Sequence, residues 1–239
     1  MIFIKKYYFC FYVEISTPKM KKKAVLIILF VIPIVVYLFF ASGVYNFARL
    51  PVLTQLVYFP KDAKSLQGDS VVLNQKITVL GFLGEVSDLD KVGLFNVNEK
   101  IGKRFAEFTD FQFVYVFREG NEHRVEHLKN ELSRYNNFSK WQFVSLSSDE
   151  ILLIFNSLNS PFDVSQQGYS PYVFIVDKEV RLRGRTDDED FGRLYGYNSV
   201  SVADLSNKMV DDVKVILAEY RLALKKYNKS IERKSFIKQ

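Results

Sequence analysis

The sequence predicts an α/β domain, with helices covering both faces of a mostly parallel sheet, carried behind one N-terminal transmembrane helix. Three observations predict it. Ala24 to Tyr45 is an uncharged, apolar run. From about residue 71 onward, strand-like apolar stretches alternate with segments of helical period, which is the pattern of βαβ crossovers and a parallel sheet. Near the end, two strand-like stretches flank the polar turn Asp177-Lys178-Glu179, adding an antiparallel pair before a last helix.

The first run reads AVLIILFVIPIVVYLFFASGVY, 22 residues. A hydrocarbon core about 30 Å thick needs roughly 20 apolar residues as helix, so this segment is long enough to span it. Lys19, Lys21, Lys22 and Lys23 precede it, and Arg49 is the only charge between Tyr45 and Lys61. The positive-inside bias then holds residues 1–23 in the cytoplasm, spans the bilayer with residues 24–45 and exports the rest. Ala41-Ser42-Gly43 offers small residues to a peptidase, so a cleaved signal peptide is the alternative. The run exceeds the usual signal-peptide core of about 7–15 residues, which favours an uncleaved anchor. Met20 followed by three lysines looks like a conventional start of an exported protein, making Met20 the expected first residue. The single cysteine, Cys10, precedes it, and the exported part has none. Disulfides, thiol redox chemistry and thiolate metal sites are thereby excluded there.

The formal net charge of +6 is concentrated at the ends. Residues 1–23 hold six lysines and one glutamate, and residues 221–239 hold seven basic residues and one glutamate, leaving 20 basic against 25 acidic in between. The body has no excess of cations for a nucleic-acid groove, so nucleic acid is not an expected partner. The basic tail, residues 229–239, reads as a solvated helix end.

Residues 46–70, punctuated by Pro51 and Pro60, read as a juxtamembrane linker, and residues 71–228 as one domain. Within it, Lys76–Gly84 is a short apolar strand, followed by a loop that carries Asp88 and Asp90. Asn98–Phe108 then sets Ile101, Phe105 and Phe108 on one helical face. Phe111–Phe117 is a β-branched and aromatic strand. Glu119–Tyr135 is an amphipathic helix with Val125, Leu128, Leu132 and Tyr135 on its apolar side. Trp141–Leu146 is a strand, and Ser147 or Ser148 caps a helix over Ile151–Leu158. Pro171–Val176 and Val180–Gly184 form the hairpin, and Val202–Lys226 the last helix.

This order, βαβαβ then a β-hairpin and a terminal helix, is similar to the thioredoxin fold, giving a thioredoxin-like three-layer domain. The anchor, the motif Ser170-Pro171-Tyr172-Val173-Phe174-Ile175-Val176-Asp177-Lys178, the hairpin strand ending Arg183-Gly184-Arg185, and the helix Asp211-Asp212-Val213-Lys214-Val215-Ile216-Leu217 resemble the SCO/SenC family of membrane-anchored copper chaperones. The resemblance implies a bacterial inner-membrane protein with a periplasmic domain. In that family a Cys-x-x-x-Cys pair after the first core strand and a histidine before the hairpin bind copper. Here Glu85 to Asn98 holds no thiol and Pro161 to Ser170 no histidine. Copper binding and thiol exchange need those groups, so the expected protein is a degenerate member without cofactor or enzymatic activity. The resemblance further implies a cis bond before Pro171, exposing backbone to an extended partner.

Two other constellations stand out. His123 and His127 lie four apart on one helical face, but Arg124 stands where a hydrolytic zinc motif needs glutamate. Arg181, Arg183 and Arg185 share one face of the hairpin strand, and Asp187, Asp188, Glu189 and Asp190 follow. Those charges pair with one another, hold a divalent cation or dock a basic partner. With Pro171, Tyr195 and Tyr197 they form the candidate interaction surface, for an envelope or membrane protein. The alternative function is a metal carrier or enzyme using His123/His127 or Asp187–Asp190.

Overall fold

The computed structural model describes residues 22–41, 49–134 and 137–236. It divides into two units, Met1–Asn46 and Phe47–Gln239. In the first, helix α1 (Lys22–Ala41) contains Pro33. Its described side chains, residues 26–40, are apolar and exposed. Among the described residues no helix is long and apolar enough to cross a membrane. Cys10, Met20 and residues 237–239 of the basic tail lie outside the described residues.

The second unit is built on one sheet. Its strands are β1 (Val52–Thr54), β2 (Ile77–Gly84), β3 (Phe111–Arg118), β4 (Trp141–Leu146), β5 (Tyr169–Val176), β6 (Leu182–Arg183) and, further along the chain, the short Tyr197–Asn198. The order is β1-β6-β5-β2-β3-β4, with Tyr197–Asn198 paired to β5. β2, β3 and β4 run parallel, β5 runs antiparallel to them, and β6 antiparallel to β5. β2 is buried along its whole length and β3 nearly so, as central strands covered on both faces must be, which is why they read as unbroken apolar runs.

Two hydrophobic layers close the sheet. On one face pack α2 (Asp88–Val97), which passes through a π turn, Asn98–Gly102, and α3 (Glu122–Ser133). Beyond the short strands β7 (Arg185–Asp188), β8 (Gly192–Leu194) and β9 (Tyr197–Asn198), a turn of helix, α5 (Val202–Asp204), runs through a second π turn into α6 (Val210–Phe236) on the same face. The other face is covered by α4 (Ser148–Ser157) and by Val57, Ala63, Val71 and Leu73. The result is the three-layer, thioredoxin-like α/β domain expected, with helices on both faces.

Three features depart from the expected elements. The first helix begins at Asp88, ten residues early, because Ser87 and Asp90 form a capping box. Asp88 and Asp90 therefore stand in a helix, and Phe108 is exposed beyond it. Second, the stretch expected as a linker joins the domain from Leu50 onward. Leu50 and Val57 are buried, and β1 pairs with β6, covering an edge that would otherwise present unpaired backbone groups. Third, Tyr197, expected on the candidate interaction surface, is fully buried, and β8 before it pairs with β7. The remaining helices and the hairpin lie where expected, Ser147 and Glu150 forming the capping box of α4, with Val125, Leu128 and Leu132 buried from α3. Tyr135 lies outside the described residues.

Candidate functional site

At the end of β2 the chain turns through Gly84 (φ +59°), where a Cβ would stand 2.6 Å from the backbone nitrogen of Tyr169, so only glycine fits. The turn delivers Glu85-Val86-Ser87 to the N-terminus of α2, the place where the resemblance would put thiolates. Asp90 Oδ2 accepts from the Ser87 N–H and from Ser87 Oγ, both at 2.7 Å, and Ser87 Oγ accepts from the Asp90 N–H at 3.4 Å. Asp90 is 3% exposed and its other oxygen, Oδ1, is buried with no partner. Burial pushes its carboxyl up to about 6, against the hydrogen bonds from Ser87.

Tyr115 of β3 lies within reach of the Asp90 charge. Its ring lies on Gly81, where a Cβ would come within 2.3 Å of a ring carbon, and its hydroxyl is buried without a partner. Burial, then the charge of Asp90, raises the phenol well above its ordinary value. Tyr169 is raised by the same two causes. The first turn of α2 thus carries a buried carboxylate, and the buried phenol of β3 feels its charge. No thiolate or imidazole accompanies them, and Ser87 serves as a helix cap. This donor set does not fit copper, which takes soft sulfur and imidazole ligands.

Pro171, on β5, follows a trans peptide bond; no cis bond occurs among the described residues. The expectation of a cis bond is corrected: the segment continues as β5 and its carbonyl is used internally. Pro171 O accepts from both the N–H and the hydroxyl of Ser199, each at 2.8 Å. Asn96 Nδ2 donates to the carbonyls of Ser199 and Val200. The Ser199 segment therefore ties α2 to β5 and occupies the backbone that an extended partner would need.

The three arginines do share one face, the α6 side. Arg183 is 2% exposed. It donates to Leu50 O at 2.7 Å, Asp177 Oδ2 at 2.9 Å and Glu219 Oε2 at 2.6 Å, joining β1, the hairpin turn and α6. Asp177, fully buried, also accepts from the N–H groups of Glu179 and Arg181 and from Arg181 Nε. That hydrogen bond is the main cause of the rise in the guanidinium pKa of Arg181. Arg185 Nε donates to both oxygens of Asp212, and the Tyr197 hydroxyl donates to Asp212 Oδ2 at 2.6 Å. Lys208 pairs with both Asp188 and Asp190, at 2.9 and 2.6 Å. Most arginine partners are thus acids outside the run 187–190; only Arg185 approaches Asp188, at 4.0 Å.

Arg185, Asp187, Asp188, Glu189 and Asp190 come together on a cleft of about 570 Å³ completed by Arg49, Lys208 and Asp212. Arg183 and Tyr197 sit beneath the surface, Tyr195 is half-buried, and Pro171 is not among the residues that line the cleft. His123 and His127 are exposed on α3, beside the ion pair of Lys91 with Glu131. Among the described residues no three metal-ligating side chains cluster, so the metal-carrier alternative gains no support. Sequence reasoning missed Asp90, Tyr115, Asp177 and Asp212 as organising groups. The Ser-x-x-Asp spacing of the first was a readable cap signal, while the others depend on tertiary partners.

No family model and no curated protein matches the chain. Among solved structures it is similar to a proposed protein disulfide isomerase from Bacteroides thetaiotaomicron, at 11% identity over 72% of this chain and 95% of that one, with a TM-score of 0.48. It is similar to BsSco, a member of the Sco family of cytochrome c oxidase assembly proteins, at 13% identity over 70% and 94%, TM-score 0.46. Arabidopsis thaliana ScoI with copper bound gives 16% identity over 64% and 94%, TM-score 0.44. The fold assignment stands on the strand order itself.

Proposed function

We propose that this chain is a membrane-tethered, non-catalytic thioredoxin-fold protein of the cell envelope, a degenerate SCO/SenC-like member that acts by binding another envelope or membrane protein, in the setting of respiratory-complex assembly. The observation that carries the reading is the N-terminus of α2. Where thiol chemistry or copper binding would need sulfur, Ser87 and Asp90 cap the helix on each other, and the exported sequence contains no cysteine. The partner face is the charged cleft around Arg185 and Asp187–Asp190, where polar, partly paired groups set specificity. The domain faces the periplasm and residues 24–45 hold it to the bacterial inner membrane.

Three measurements test this. The full chain stays with membranes after carbonate washing, and protease added outside spheroplasts digests the domain. A photo-crosslinker at Asp187 or Glu189 captures one defined envelope protein in cells, and the same probe at Lys100 does not. The purified chain surrenders added Cu(I) to a bathocuproine chelator. Stoichiometric copper or zinc that disappears in a His123→Ala/His127→Ala variant would instead establish a metal carrier.

A further inference from the structure

We propose that the outward face of α2, at Leu89, Val92 and Phe95, pairs with the same face of a second copy of this chain, the two helices running antiparallel about a two-fold axis at Val92. The inference goes beyond the partner proposed for the charged cleft and uses none of that cleft's residues.

A surface helix turns one apolar stripe to the core and carries polar groups on the rest of its circumference. α3 follows that pattern, with Val125, Leu128 and Leu132 buried and His123, Arg124, Glu126 and His127 outward. α2, in the same layer, does not. Leu94 and Val97 fill the core on its inner side, yet Leu89, Val92 and Phe95 are 54%, 45% and 41% exposed on the outer side. Their spacing of three residues sets them along one face. That face is bounded on both sides. Lys91 reaches Glu131 of α3 on one, and on the other Asn96 Nδ2 holds the carbonyls of Ser199 and Val200, each at 3.2 Å. Gly93 lets that segment lie close, since a Cβ there would stand 2.6 Å from Ser199 Oγ. Val202, also exposed, follows two residues on and extends the apolar edge.

Symmetry and charge select the occupant. Leu89 and Phe95 stand equally far from Val92 along the helix, so an antiparallel copy sets Leu89 of one chain against Phe95 of the other and Val92 against itself. Charge is inverted from end to end. Glu85 precedes the helix and Asp88 opens it, whereas Lys100, Lys103 and Arg104 follow at the far end, where Glu99 is already paired with Lys103. Antiparallel pairing brings the acidic start of each copy beside the basic end of the other and aligns the helix dipoles favourably; parallel pairing would stack like on like. A face that complements itself under a two-fold rotation is what an isologous dimer requires, and a different protein would ask for no such symmetry.

The test uses the full chain in detergent, with Cys10→Ser and one new cysteine, oxidised with diamide. Leu153→Cys, exposed on α4 in the opposite layer, is the control. A disulfide needs Cα atoms within about 7 Å, so Val92→Cys, on the axis, should give roughly fivefold more cross-linked dimer than the control. Leu89→Cys alone should not, because the two copies of that residue lie about 9 Å apart along the helices. Chains carrying Leu89→Cys and Phe95→Cys, co-expressed under different tags, should cross-link to each other. Val92→Glu sets two carboxylates together on the axis and should halve the sedimenting species while the far-ultraviolet circular dichroism stays unchanged. Equal yields at 92 and 153, or self-cross-linking at 89 that matches 92, overturns the proposal, as does a dimer that persists in Val92→Glu. None of these results bears on capture at Asp187 or Glu189, so the two readings fail separately.

Discussion

Burial raises the Asp90 carboxyl from 3.8 to about 6, so the folded chain binds a proton that the unfolded chain releases. The stability this contributes is fully present below about pH 3.8 and is lost as pH rises through 6. Near neutral pH the buried charge costs about 3 kcal/mol. Asp90→Asn keeps an acceptor for Ser87 and removes the charge. We expect its denaturant midpoint in detergent to exceed that of the parent chain at pH 7.5, and its stability to be flat between pH 4 and 7 where the parent's falls. Equal slopes would assign the titration to another group. Arg183 makes the opposite case. Arg183→Met strands the partners Glu219, Asp177 and the Leu50 carbonyl, and should cost on the order of 3 kcal/mol in urea unfolding. Arg183 was legible as one of three arginines on a common face, because alternation along a strand is local. Its burial was not, because Asp177 and Glu219 reach it from six and 36 residues away.

Helix starts show the same division between elements. α4 was readable from Ser147 and Glu150, and its capping box matches that reading. α2 carries the same type of signal in Ser87 and Asp90, yet the apolar spacing of Ile101, Phe105 and Phe108 drew the expected helix downstream. The helix ends through a π turn at Gly102, a local geometry that apolar spacing does not encode. Ser87→Ala should cost about 1 kcal/mol through the lost cap. It should also push the Asp90 carboxyl higher still, since the Ser87 hydrogen bonds hold it down; a carbon-detected titration of the Asp90 carboxyl reads this directly. An unchanged titration would mean that the cap hydroxyl does not bear on that charge.

For the whole molecule, the absence of thiols from the domain gives a plain expectation. The thermal midpoint of the detergent-solubilised chain should not move on adding dithiothreitol, nor on adding Cu(I) at micromolar excess. A ligand bound only by the folded state at 100 times its Kd would add about 2.7 kcal/mol, a shift of several degrees that calorimetry resolves.

The sequence by itself determined the α/β class, the parallel core strands, the hairpin and the missing copper ligands, because apolar period and residue chemistry are properties of short stretches. The tertiary structure alone decided that residues 52–54 join the sheet and cover its edge, that Ser199 takes up the carbonyl of Pro171, and that Arg183 is an interior clamp. Each depends on groups far apart in the chain, and only folding determines which buried polar group finds which partner.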